Sequence, residues 1–376
     1  MTSRILLAGL LTGGLTATAF AQPQPAVERP ADIDALIEEA LTLYPSAGLA
    51  IIRIEDGDKS WSAYGGEQGP GVPVSEDTLF NTASIAKTLT AELTLRLAAA
   101  GAIDLDEPIS SEYVHPDLAD DPRHQHLTPA IILSHQTGLK NWAYAYDDDT
   151  LAFTYDPGTD YSYSGAAYEM LAEFLSRRMD APFEQLMQSW VLEPLNAEAY
   201  LGAGGASEAR LTTPMGHDRA YGEIRSGDFA PSAADNLFVT ADDYSTLLLG
   251  MMEAEAHGPM AGARGTQQVS TADEAPCMLE DQSQCPLNGH TLGWSVSRFE
   301  DAHFIFHGGS DWAENALAFY DMESGDGYVV MVNGGNGLGS SLHLITVVDP
   351  DNSLISTLMS MPQIQGALSQ MRASDE

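Results

Sequence analysis

Hydrophobic positions along the chain follow one rhythm at each end and another in the middle. After a Pro-rich leader (22–30), the stretch ADIDALIEEALTLYP places Ile33, Leu36, Ile37 and Leu41 on one face. That spacing predicts a helix of about three turns. GLAIIRIEDG and KSWSAYGG then read as two strands joined by a turn at Asp56-Gly57-Asp58, and a Gly/Pro-rich loop (65–74) follows. From Ile85 the period changes: Ile85, Leu89, Leu93 and Leu97 recur every fourth position, and Gly101 supplies a helix stop. Helical patterns, among them YEMLAEFLSRRM and FEQLMQSWVLEPL, dominate to about residue 255. TLGWSVSRFED, HFIFHGG, NALAFYDMES and GYVVMVNGG then alternate with turns, which predicts an antiparallel meander, and a last helix is expected at roughly 340–360.

Strands at both ends around a helical middle imply an α+β architecture. The expected arrangement is an α/β sandwich on an antiparallel sheet, formed by residues 31–87 and 230–362, with an all-helical domain (88–229) inserted. No internal repeat or low-complexity segment interrupts it. Residues 1–21 carry Arg4, an apolar run of small residues and the Ala19-Phe20-Ala21 cleavage pattern, so they are read as a signal peptide rather than a retained anchor. Export to a periplasm or to the medium follows. No other stretch is long enough to span a bilayer.

Composition narrows the choice of partner. Sixteen basic side chains face 54 acidic ones, a formal net charge of −38. This excludes a basic footprint for nucleic acid and argues against attraction to anionic membranes. Scarce lysine with abundant carboxylate also suits a protein kept soluble in concentrated salt. Cys277 and Cys285 are the only cysteines, and in an oxidising compartment they are expected to close a small disulfide loop; two idle thiols are the alternative. Two cysteines alone make no metal site. The sequence leaves the oligomeric state open.

The chemistry starts from NTASIAKTLT. Lys59, Lys87 and Lys140 are the only lysines, and Lys87 stands three positions after Ser84 at the start of a predicted helix, where i and i+3 share a face. A serine hydroxyl is a poor nucleophile until a base takes its proton, and a neutral amine can be that base. The helix N-terminus adds N–H groups suited to a developing oxyanion. S-x-x-K alone is common, and its plain reading is a surface lysine on an amphipathic helix. The acidity of the chain favours the ammonium form, so Lys87 needs burial or a hydrogen-bonded partner to become a base. YDPGTDYSYSGAAYEML offers phenols, with Tyr163 on a loop that can reach Ser84. P-loop, H-E-x-x-H, G-x-S-x-G and G-x-G-x-x-G patterns are absent, and His124 and His126 lack a nearby third ligand.

With FNTASIAKTLTAELTLRLAAAGAIDLDEPIS, LSHQTGL, PGTDYSYSGAAYEMLAEFL and FHGGS in that order, the chain resembles the class C β-lactamase-like serine hydrolases. That group includes D-alanyl-D-alanine carboxypeptidases and family VIII carboxylesterases, and the resemblance runs from about 31 to 360. It implies the β-lactamase/transpeptidase-like fold, Ser84 as the acylated nucleophile, Lys87 as its activating partner and Tyr163 as a proton-exchanging phenol. His307-Gly308-Gly309 stands in for the K-T-G strand, and the oxyanion hole uses the N–H groups of Ser84 and Ser310. Two departures bear on specificity. Gly165 replaces the asparagine of Y-x-N, removing a side-chain amide, and His307 replaces the K-T-G lysine, weakening any anchor for a carboxylate. H-x-G does occur among the peptidase and esterase members.

Trp142 and Trp312 are candidates to line the substrate cleft. His135 is read as holding a loop, and Asp147 to Asp149 as a solvated loop. The expected activity is hydrolysis of a small ester, amide or peptide, peptidoglycan-derived peptides included, without metal or cofactor. The alternatives are a true β-lactamase and a non-catalytic penicillin- or muropeptide-binding relative.

Overall fold

A computed structural model describes residues 27–222, 229–271 and 285–372. The expected signal peptide (1–21) and Cys277 lie outside the described residues. Cys285 is half-buried, and among the described residues there is no free thiol.

Strands are numbered along the chain: β1 Gly48–Glu55, β2 Asp58–Gly69, β3 Val72–Pro73, β4 Phe80–Asn81, β5 Ala199–Leu201, β6 Leu237–Val239, β7 Val269–Ser270, β8 Leu287–His290, β9 Ser295–Arg298, β10 His303–Ser310, β11 Glu314–Asp321 and β12 Gly327–Asn333. Nine of them form an antiparallel sheet in the order β3-β2-β1-β12-β11-β10-β9-β8-β7. The expected meander is its right half, and β1 closes onto β12 in a register running from Gly48 opposite Asn333 to Ile54 opposite Gly327. Between β1 and β2, Asp56 (φ +51) and Gly57 (φ +80) supply the two left-handed residues that a tight hairpin turn demands.

The run LAIIRI is apolar without alternation because both faces of β1 are covered. Leu49 and Ile51 pack with Ile33, Ile37, Leu342 and Ile345 from the helices Ile33–Leu43 and Gly337–Val348. Ala50, Ile52 and Ile54 face the opposite core, with Leu89 and Leu93 of the helix Ala86–Ala99 and Tyr244 and Leu248 of the helix Ala241–His257. Helices thus sandwich the sheet, and the chain has the β-lactamase/transpeptidase-like fold.

The helix Ala86–Ala99 is more deeply placed than its four-residue rhythm suggests. Thr88, Thr90, Glu92 and Thr94 are buried along with the leucines. Thr90 donates to the Ala233 carbonyl (2.6 Å), and Glu92 pairs with Arg264 (2.6 Å), so the polar positions are satisfied inside the protein rather than by water. The surface-lysine reading therefore fails: Lys87 has no exposed area. At the C-terminus Gly101 (φ +71) and the bonds Ala102 N to Leu97 O and Gly101 N to Ala98 O form the expected left-handed stop.

Three local expectations need correction. The single final helix is three, Gly337–Val348, Ser353–Ser360 and Pro362–Met371, since Pro350 and Pro362 interrupt the backbone bonding. Residues 102–164 are mostly turns and short 3-10 segments rather than regular helix. The middle also contains strand: β5 and β6 join β4 in a small sheet, with Phe80 and Ala199 both opposite Val239, and strands this short show no legible alternation. Among the described residues no helix is long and apolar enough to cross a membrane.

Candidate active site

Ser84 sits in the single turn Ala83–Ile85 that opens the helix Ala86–Ala99. Ala83 has φ +46, unfavourable for a side chain with a β-carbon, and Asn81 Oδ1 holds the turn by accepting the Ala83 N–H (3.1 Å). Strand β10 runs directly against this turn. A β-carbon on Gly309 would stand 1.9 Å from the Thr82 carbonyl oxygen and 3.3 Å from Ser84 N, whereas one on Gly308 would meet nothing closer than 3.9 Å. Glycine at 309 is what lets the two backbones approach.

Strand β9 pairs with β10 only from His303 to Phe306, leaving His307 to Ser310 with an open edge on that side. At the β10–β11 hairpin the Asp311 N–H bonds the Glu314 carbonyl (3.0 Å). Antiparallel ladders alternate, so Ser310, next to that bonded pair, turns its N–H outward to the open edge. An extended acyl group can lie along such an edge.

Lys87 Nζ donates to Ser84 Oγ (3.0 Å) and to the Ala234 carbonyl (2.7 Å), and lies 4.8 Å from the centre of the Tyr163 ring. Burial pushes its pKa down to about 7, opposed by the negative charges of Asp235 and Glu169. A large fraction of the amine is therefore neutral near pH 7 and can take the Ser84 proton. Burial raises the Tyr163 phenol well above its usual range, and the neighbouring Ser84 hydroxyl opposes that shift. Tyr163 thus stays protonated and can pass a proton on, but it does not begin as a phenolate.

Glu169 and Asp235 were not legible in the sequence. Glu169 accepts the Ser232 hydroxyl and the Ala233 N–H (3.0 Å), and that grip brings the neighbouring Ala234 carbonyl to Lys87. Both carboxylates come from elements remote from the S-x-x-K helix, so no local spacing announces them. His290 on β8 is likewise unforeseen. It is buried, its ring is 4.7 Å from that of His135, and burial followed by the nearby His307 and Lys87 keeps its pKa well below the usual range.

His307 is buried with its pKa pushed down to about 3, by desolvation first and by Lys87 second. Its Nδ1 lies 2.8 Å from the Gly308 carbonyl, so Nδ1 carries the hydrogen of a neutral ring. It offers no charge to a substrate carboxylate. Gly165 and Trp142 prove to be one feature: a β-carbon on Gly165 would fall 2.5 Å from the indole of Trp142, which fills that space. Gly165 N–H also donates to Asn141 Oδ1 (2.8 Å), securing the residue beside that tryptophan. Trp312, 46% exposed, lays its ring over Gly216 and Gly222 of the 214–222 loop.

His135 does hold a loop, by hydrogen bonds to Ser162 and Ser164. Asp147 to Asp149 are exposed. His124 Nδ1 bonds the Asp121 carbonyl locally (2.8 Å), and among the described residues no group of three or more His, Cys, Asp or Glu is arranged to hold a metal ion. A cavity of about 660 Å3 around Asp104, Asp106, Glu107 and Arg178 lies apart from all of these groups and contains no nucleophile beside a base.

Several known proteins have chains similar to this one. The family model named Beta-lactamase matches residues 33–348. A β-lactamase of Pseudomonas fluorescens is 25% identical over 54% of this chain and 58% of its own. The esterase EstB of Burkholderia gladioli is 26% identical over 58% of this chain and 62% of its own. The chain thus spans less than two thirds of the length of either relative. Among solved structures, the octameric penicillin-binding protein homologue from Pyrococcus abyssi superposes with a TM-score of 0.72 at 16% identity, covering 89% of this chain and 79% of that one.

Proposed function

The chain belongs to the Beta-lactamase family, and from that membership we propose that it is an exported serine hydrolase cleaving a small ester or amide through an acyl-enzyme on Ser84. The observation that carries the reading is the buried Lys87 amine 3.0 Å from Ser84 Oγ, with the Tyr163 phenol on the same serine. In the proposed cycle neutral Lys87 takes the Ser84 proton as Oγ bonds to the acyl carbon. The N–H groups of Ser84 and Ser310 receive the oxyanion. The carbon–oxygen or carbon–nitrogen bond to the leaving group then breaks, and Tyr163 relays a proton to that group. Water attacks the acyl-enzyme by the reverse proton path, releasing the acid and restoring Ser84.

Esters are placed first among the substrates, D-alanyl peptides next and β-lactams last. Trp142 fills the space beside Gly165 that an amide-binding side chain needs, His307 is neutral, and Asp235 lies close enough to Lys87 to act on its charge. All three features disfavour a substrate recognised through an amide and a carboxylate. Export through residues 1–21, a Cys277–Cys285 bridge, and division into 31–87 with 230–362 around 88–229 complete the reading.

A chromogenic short-chain ester tests it. Ser84→Ala and Lys87→Ala are each expected to lower turnover by at least about 1,000-fold while the circular dichroism spectrum stays unchanged. Turnover by either variant at the parent rate would refute the mechanism, and a parent enzyme inert to esters, D-alanyl peptides and β-lactams alike would favour the non-catalytic binder.

A further inference from the structure

His135 has no part in the cycle above, yet it is built into the wall behind Tyr163. It is fully buried, and its backbone stands at φ +56, in the left-handed region that costs a residue with a β-carbon about 1 kcal/mol or more. Its carbonyl accepts the Ser162 N–H (2.8 Å) and its Nδ1 accepts the Ser164 N–H (3.1 Å). These bonds grip the chain on both sides of Tyr163. The imidazole lies against the phenol as well, with ring centres 4.3 Å apart and planes tilted by 35°. An Nδ1 that accepts carries no hydrogen, so the ring is the Nε2–H tautomer. Burial, with His290 and Lys87 nearby, keeps it neutral.

We propose that His135 is a positioning residue for Tyr163, fixing the phenol against Ser84 and acting on the reaction only through that tyrosine. The inference rests on the role given to Tyr163 above. A strained, buried residue that gives its carbonyl, its Nδ1 and a ring contact to one three-residue segment, with Tyr168 and His290 packed against the same ring, holds that segment to a single geometry. Displacing a reacting group by about 1 Å can cost on the order of 100-fold in rate.

Three substitutions separate the contributions. His135→Asn keeps a side-chain acceptor near the place of Nδ1 and tolerates a left-handed backbone well. His135→Gly relieves the backbone but removes the acceptor and ring, and His135→Ala removes both while keeping the strain. With a nitrophenyl ester and thermal melting measured in parallel, the Ala and Gly variants are expected to lose on the order of 10- to 100-fold in kcat, with KM within about threefold. His135→Asn is expected to recover most of that loss. In a Tyr163→Phe background, His135→Ala should lower kcat by less than about twofold further.

Parent-like kcat in His135→Gly would overturn the inference, as would an undiminished His135→Ala loss in the Tyr163→Phe background. If Tyr163→Phe alone leaves kcat unchanged, the inference fails together with the role of the tyrosine, and the single variant identifies the tyrosine as the fault.

Discussion

Lys87 becomes a base only by being taken out of water. Burial moves its pKa to about 7 against the pull of Asp235 and Glu169, so kcat/KM for a neutral ester should rise with pH through an acidic limb centred near 7. The sign follows from the reacting form: only the neutral amine accepts the Ser84 proton, and its fraction grows as pH increases. His307, at about 3, and the Tyr163 phenol, far above its normal value, put no second limb in that window. Asp235→Asn removes a charge that favours the ammonium and should move the limb to lower pH; an upward or absent shift in the pH–rate profile would contradict this electrostatic account. Ser84 and Lys87 were legible because i and i+3 on a helix are neighbours whatever surrounds them. Glu169, Asp235 and the placing of Trp142 over Gly165 were not, since each depends on an approach between segments remote in the chain. His307 and Gly165 were visible as departures from a pattern, but only the structure relates the missing side chain at 165 to the bulk of Trp142.

At the scale of elements, the site depends on the closeness of β10 to the Ser84 turn. Gly309→Ala would drive a methyl group into the Thr82 carbonyl, forcing strand and turn apart. Its expected cost is about 1–3 kcal/mol of stability, with loss of most ester turnover. Gly308→Ala makes only an ordinary contact, 3.9 Å from the Ala316 carbonyl oxygen, and should melt like the parent. Equal melting temperatures for the two variants would show that the approach is less tight than described. β1, β10, β11 and β12 could be read from the sequence because strands of seven or eight residues carry enough apolar positions to display a period. β5 and β6, three residues each, could not. Nor could the full burial of the helix Ala86–Ala99, whose threonines look solvent-facing until their hydrogen-bond partners Ala233, Tyr244 and Thr90 are in place.

For the molecule as a whole, the excess of carboxylates dominates. A net charge of −38 repels itself over a screening length of about 10 Å at 0.1 M salt and about 3 Å at 1 M. The melting temperature should therefore rise between those concentrations of potassium chloride, and a flat or falling response would show that surface repulsion does not limit stability. The buried group of Arg264, Glu92 and Glu255 lies beyond the reach of that screening and should not weaken as salt is added. The central claim, a covalent acyl group on Ser84, is tested most directly by the intact mass of the protein quenched in acid during turnover of a nitrophenyl ester. The account predicts a species heavier by one acyl group that maps to Ser84 and disappears in Ser84→Ala. Full hydrolysis with no such species, or the same adduct in Ser84→Ala, would contradict it.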